Sequence, residues 1–364
     1  MDTSSETDIR TPKSTPVYKR KRRRIYAAIT AVVAVIAAVS IWLAVGTGSS
    51  GPLPSFTIAL STGTVASADS IIVSDGALGK TIPAHVHWVP FTAGVTAVAE
   101  MKSGALQSIS GVGNPPTVGA IGNGTGIDVV MVQEFDSDQL LVPASVTTAS
   151  QLAGKSVGVL VGSSEDYELE GWLKLQHLTG SVKVVGLASE QAVAAAYLAH
   201  AVDAAYVYGN YAASVQARGG HALVNAEQIA KLGVPGIDVV AVPSTLVSSN
   251  PGLVQKYVCA EVQATRLLTG PNAGTYLAQA AGVQGAPASQ IEAATRSTPF
   301  IPLSQQLYWL GSKPGDTASP LVKAYRLTGQ FLLGQGRVTS VPSAATLAAH
   351  IDPAFVQKAL SGGC

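Results

Sequence analysis

From Phe56 onward, short runs of apolar and β-branched residues alternate with segments of helical period, and this alternation constrains the chain more than any other feature. Strands are expected at 56–60, 87–91, 128–133, 156–161, 182–186 and 204–208, with helices between them, the pattern of an α/β fold with mainly parallel sheets. A chain of 364 residues is too long for one ordinary core and suits two lobes. The spacing predicts a first lobe over 55–142 and 241–364, mostly helical beyond Pro243, with a second lobe over 143–240 inserted into it. An interrupted lobe is joined to its insert by two crossings, which form a hinge. Two open sheets facing each other then leave a cleft at the carboxyl ends of their strands.

The N-terminus carries a different signal. A basic tail over 1–24 ends in Lys19-Arg20-Lys21-Arg22-Arg23-Arg24, and the run from Ile25 to Val45 contains no charge. As a helix this run spans ~30 Å, the thickness of a bilayer core. Lys and Arg stay on the cytoplasmic side, so the expected location is the cell membrane, with one transmembrane helix and the body outside the cytoplasm. A cleavable signal peptide is the alternative, but its apolar stretch is usually shorter. Residues 46–54, rich in Gly, Ser and Pro, read as a flexible linker.

The net charge of +1 hides an asymmetry: the first 24 residues hold 8 Lys/Arg and 3 Asp/Glu, leaving 15 basic against 19 acidic residues for the body. No cationic stripe is available to neutralise phosphates, which argues against nucleic-acid binding. The two cysteines, Cys259 and Cys364, exclude a zinc knuckle and a thiol-pair redox motif, and either a disulfide or a buried free thiol at Cys259 is compatible with them. The six histidines have no metal-like spacing, so no metal is expected. Gly111-x-Gly113 opens like a dinucleotide fingerprint, but Pro116 stands in place of the third glycine, and no P-loop, H-E-x-x-H or G-x-S-x-G is present. No cofactor is expected.

Several segments, in order, resemble one family: Trp88-x-x-Phe91-x-x-Gly94, Ser103-Gly104, Leu152-x-Gly154-Lys155-x-Val157, Asp203-Ala204-Ala205-Tyr206-Val207, Gly233-x-Pro235-x-x-Asp238-Val239, Ser304-Gln305-Gln306 and Gln335-Gly336-Arg337-Val338. Together, from about Phe56 to Leu360, they resemble the taurine- and alkanesulfonate-binding proteins of ABC importers. The resemblance implies a two-lobed periplasmic-binding-protein-like fold of type II with two hinge crossings. It also implies a non-enzymatic role in which a small sulfonate, taurine above all, is passed to an ABC permease and its ATPase subunit. Two departures stand out. The family usually has Gly at the position of His200, an expected left-handed helix end, and a small polar residue where this chain has Pro115.

A sulfonate is permanently anionic and offers three acceptor oxygens, so hydroxyls and free N–H groups at helix N-termini suit it. Ser61, Thr62, Asn114, Ser163 and Ser164 stand at strand ends where such groups are expected, although each also reads as a simple helix cap. Taurine adds an ammonium, for which Asp238, in the acidic position of the taurine-specific branch, supplies the counter-charge, with Tyr208 and Tyr211 as walls or core residues. Asp136, Asp138 and Asp166 are further acidic candidates. The competing readings are a binding protein for another small anion or amino-acid-like solute, a sensory ectodomain, and an enzyme related to thiamine-pyrimidine synthases. The last needs a cysteine-rich motif that two isolated cysteines cannot form.

Overall fold

The computed structural model describes residues 52–61, 65–91 and 93–364. The tail 1–24, the anchor read at Ile25–Val45, residues 46–51 of the linker, and Thr62 lie outside the described residues. Among the described residues no helix is long and apolar enough to cross a membrane.

From Pro54 to Cys364 the chain forms one compact unit containing two five-stranded sheets. The first has the order β2-β1-β3-β10-β4, built from β1 (Ser55–Ser61), β2 (His85–Phe91), β3 (Ser108–Val112), β4 (Ile127–Phe135) and β10 (Ile237–Pro243). The second has the order β7-β6-β8-β5-β9, built from β5 (Gln139–Pro143), β6 (Ser156–Leu160), β7 (Lys183–Leu187), β8 (Ala204–Val207) and β9 (Gly220–Asn225). β1 pairs in parallel with β2 and β3, and β6 with β7 and β8, as the alternation predicts. The strands that join the lobes run antiparallel: β10 lies between β3 and β4, and β5 between β8 and β9.

Strand period decides how the second lobe packs. Leu140 and Val142 point to one face, with Val157, Trp172 and Tyr206, while Leu141 points to the other, with Val193, Ala205 and Val215. Both faces of the inner strands β5, β6 and β8 are therefore buried, which is why these strands read as near-continuous apolar runs, while the edge strands β7 and β9 are partly exposed. The first lobe has one large core in which Phe56, Ile58, Ile109, Val129, Tyr257 and Tyr325 are fully buried.

The crossings differ in place from the boundaries read in the sequence. The chain leaves the first sheet through Asp136-Ser137-Asp138, because β5 already pairs with β8 and β9 in the second. It returns after β9, since β10 is wholly in the first sheet. The positions 142/143 and 240/241 thus fall inside or at the ends of paired strands, where hinge rotation would break ladder hydrogen bonds.

Two local features settle questions the sequence left open. Cys259, buried in the helix Pro251–Thr269, is bonded to Cys364, so the bridge pins the C-terminus to the first lobe across 105 residues. Reducing it should cost roughly 4–5 kcal/mol by the loop-entropy argument for a loop of this length, read as a lower denaturation midpoint with reductant, and an unchanged midpoint would contradict this. His200, just past the helix Glu190–Leu198, has φ 56°, the left-handed conformation expected there. His200→Gly should therefore raise stability by up to ~1 kcal/mol in the same assay.

Candidate functional site

Between the two sheets lies a cleft of about 340 Å³. Ser61, Ser163, Ser164, Tyr208 and Asp238 line it, as does Tyr211. Asn114 is not among the lining residues. Its side chain is fully buried and its polar atoms are engaged: Nδ2 donates to Pro235 O at 2.9 Å and to Thr328 Oγ1 at 3.2 Å, and Oδ1 accepts from Ile237 N at 2.9 Å. Asn114 therefore ties the helix Asn114–Gly122 to the start of β10, a structural role that its strand-end position could not distinguish from ligand binding.

Helix caps account for part of the serine pattern. Ser163 Oγ accepts from Asp166 N at 3.3 Å and donates to Leu160 O at 2.6 Å, which makes it the N-cap of the helix Ser164–Leu175. Ser189 caps the helix Glu190–Leu198 in the same way, and it too lines the cleft. By contrast, the helix Gly94–Ser103 begins at Ala93, which offers no side-chain cap, and both Ala93 and Gly94 line the cleft. The start of that helix thus borders the cleft with no cap from its own N-cap side chain, and free N–H groups at a helix start suit an anion. A Cβ at Gly94 would come within 2.8 Å of Pro116 Cγ, so the close approach requires glycine. The Trp88-x-x-Phe91-x-x-Gly94 segment signalled this end of the site, but only as a motif.

The electrostatics of the cleft are one-sided. Glu134, Asp136, Asp138, Glu165, Glu190 and Asp238 line it, six carboxylates, with no Lys, Arg or His among the lining residues. Asp238 and Glu134 face each other in register across β10 and β4, a like-charge pair that ordinarily destabilises a sheet. Burial pushes Glu134 up to about 8, and burial together with Glu134 and Glu165 holds Asp238 well above the usual carboxylate range. Burial also raises Asp136, reinforced by Asp238 and Glu165, and it raises Glu190, reinforced by Glu165. Such a wall is stable when protonated or when a cation sits against it. Burial likewise raises Tyr208, followed by the charges of Glu190 and Glu165.

Both lobes contribute. A Cβ at Gly113 would meet Ser164 Oγ at 2.6 Å and Asp238 Oδ1 at 3.2 Å, so Gly113 marks the floor where the lobes touch. At the rim, Arg337 of the first lobe stands 3.9 Å from Asp166 of the second, whose Oδ2 also accepts from Gly162 N at 2.8 Å. Tyr167 meets Phe331 edge-on at 5.5 Å. Asp166 is thus a rim contact and not a ligand-facing acid, whereas Asp136 and Asp138 face the cleft. Sequence reasoning passed over Glu134, Glu165 and Glu190, and acidic residues on alternating structure give no signal of convergence before the fold is known.

Over 302 residues, 81% of this chain and 91% of the relative, the sequence is 25% identical to the taurine-binding periplasmic protein of Escherichia coli (strain K12). Among solved structures, the alkanesulfonate-binding protein SsuA from Xanthomonas axonopodis pv. citri, bound to MOPS, superposes with a TM-score of 0.67 at 20% identity, over 84% of this chain and 100% of that one. The periplasmic aliphatic sulphonate binding protein SsuA from Escherichia coli gives a TM-score of 0.66 at 18% identity, over 80% and 91%. No family model matches the sequence. The resemblance read from the motifs therefore holds over most of the body, and the fold is the two-sheet periplasmic-binding-protein-like α/β fold.

Proposed function

We propose that this chain is an extracytoplasmic solute-binding protein that captures taurine, or a closely related small aminosulfonate, and delivers it to an ABC permease and its ATPase subunit. The observation that carries the reading is the composition of the cleft: the in-register acids Asp238 and Glu134, with Asp136, Asp138, Glu165 and Glu190 also in the lining, and uncharged donors beside them, namely the N-terminus at Ala93–Gly94 and the hydroxyl of Ser61. The acids suit an ammonium and the neutral donors suit sulfonate oxygens. Plain anions such as nitrate or an unsubstituted alkanesulfonate gain nothing from the acidic wall. The chain acts as a binding protein, and its two cysteines are joined to each other and are not among the residues that line the cleft.

The basic tail followed by the uncharged run Ile25–Val45 supports a single-pass anchor that holds the body outside the cytoplasm, a reading that rests on the sequence alone. The acidic wall also favours one second reading, an amino-acid-like or amine solute without a sulfonate. A thermal-shift panel separates the two. Taurine is expected to stabilise the chain more than ethanesulfonate, nitrate or putrescine, and a panel in which putrescine wins would replace the first reading with the second.

A further inference from the structure

A single ligand ammonium beside Asp238 and Glu134 leaves a second group of acids unaccounted for. Asp136, Asp138 and Glu168 each present a carboxylate oxygen within 4.8 Å of the others, and they are only 8%, 2% and 0% exposed. Asp136 and Asp138 lie on the first crossing, and Glu168 on the helix Ser164–Leu175 of the second lobe. No salt bridge neutralises any of the three among the described residues. Buried carboxylates this close, without a counter-charge, are costly.

Two observations beyond the clustering point to an occupant. Asp136 Oδ2 and Asp138 Oδ1 are buried with no hydrogen-bond partner, although both residues border the cleft. Glu168, by contrast, is held in place: Oε2 accepts from the Tyr206 hydroxyl at 2.8 Å and Oε1 from Gly236 N at 2.9 Å. Each of its oxygens keeps a lone pair, and outer hydrogen bonds of this kind orient metal ligands. Position 236 must also be glycine, because a Cβ there would strike Asp136 Oδ2 and come within 2.7 Å of Glu168 Oε1. Gly236 thus packs its backbone directly against both oxygens and holds the returning crossing beside them.

We propose that Asp136, Asp138 and Glu168 bind a hard divalent cation, Ca²⁺ being the best fit, at the hinge between the lobes. The donor set is all oxygen, with no imidazole or thiolate, which selects Ca²⁺, Mg²⁺ or Mn²⁺ over Zn²⁺ or Cu²⁺. Oxygens ~2.3–2.6 Å from a Ca²⁺ ion lie up to ~5 Å apart, which matches the spread of the three carboxylates. Water entering from the cleft side of Asp136 and Asp138 completes the shell. The ion would sit on the outgoing crossing and beside Gly236 of the returning one, so it would brace the hinge while lowering the negative charge facing the ligand. The site is independent of the identity of the solute.

The test uses the full-length chain after chelator treatment, with thermal unfolding followed during titration with CaCl2, MgCl2, MnCl2 and, as the ionic-strength control, NaCl. Calorimetry should give one Ca²⁺ per chain, and Ca²⁺ at a hundred times its Kd should raise the folding equilibrium constant about a hundredfold. Asp138→Asn should raise the Tm without metal and weaken Ca²⁺ at least tenfold. No divalent effect beyond that of NaCl in the wild-type chain, or an Asp138→Asn chain that titrates like wild type, would overturn the site. Taurine is titrated in parallel: a taurine response without any divalent response removes the cation site alone, and a Ca²⁺ response without a taurine response leaves the cation site standing and removes the solute assignment.

Discussion

Without ligand or divalent cation, the chain is expected to be several kcal/mol more stable at pH 5 than at pH 8. The sign follows from the cleft acids. Glu134, which burial raises from 4.5 to about 8, takes up its proton more readily in the folded state than in the unfolded one. The stability it contributes is fully present below its unfolded value and is lost as pH rises toward 8. A displacement of that size corresponds to something on the order of 3–5 kcal/mol. Asp238 is raised in the same direction by burial and by Glu134, and in the core of the first lobe burial raises Asp69 and Glu261, with Tyr257 donating to Asp69 Oδ1 at 3.1 Å. His350, raised by its 2.9 Å contact with Asp128, likewise contributes stability that is lost as pH rises through its folded value. Asp203 acts the other way: its carboxylate is lowered by the Ser156 N–H and hydroxyl, and its contribution is lost as pH falls, but it is exposed and outweighed. Denaturant titrations at pH 5 and pH 8 in chelator measure the difference. Stability that is flat or rises with pH would contradict the account, and Glu134→Gln should lessen the slope by the share of one such group.

The second large effect is at Asp238, where affinity and stability should move in opposite directions. Asp238→Asn removes one member of a charge pair with the ligand ammonium and should weaken taurine by about 2–5 kcal/mol, while ethanesulfonate, which lacks the amine, loses much less. The same change removes the like-charge contact with Glu134 across β10 and β4, so the ligand-free chain should become more stable. Equal losses for both ligands would mean that Asp238 shapes the cleft without meeting the ammonium. Lower stability of the free variant would mean that its carboxylate has an internal partner.

Much of the fold was legible because its signals are local. The apolar runs that became β1, β6 and β8, the cap at Ser163, and the left-handed position at His200 each depend on a few neighbouring residues. The hinge was misplaced by a few residues because Leu140 to Val142 and Val239 to Val242 are equally apolar whichever sheet they join, and only pairing decides. The site was legible in part. Ser61, Ser163, Ser164, Tyr208 and Asp238 do border the cleft, since strand ends and helix starts in an α/β fold converge there. Asn114 failed because a buried amide serving three backbone and side-chain partners looks, in sequence, the same as one serving a ligand. Asp238 read as a lone acid among apolar residues because its neighbour Glu134 lies about a hundred positions away and meets it only through strand register. The same blindness hid Glu168, which sits some thirty positions from the two aspartates it joins.

The central claim is that an acidic wall and neutral donors together select a small aminosulfonate, and calorimetric titration of the wild-type full-length chain with taurine, ethanesulfonate and putrescine tests it most directly. The account predicts saturable binding of one taurine per chain, with ethanesulfonate and putrescine each weaker by at least tenfold, because each satisfies only one end of the cleft. Ethanesulfonate binding as tightly as taurine, or putrescine binding more tightly, would contradict it.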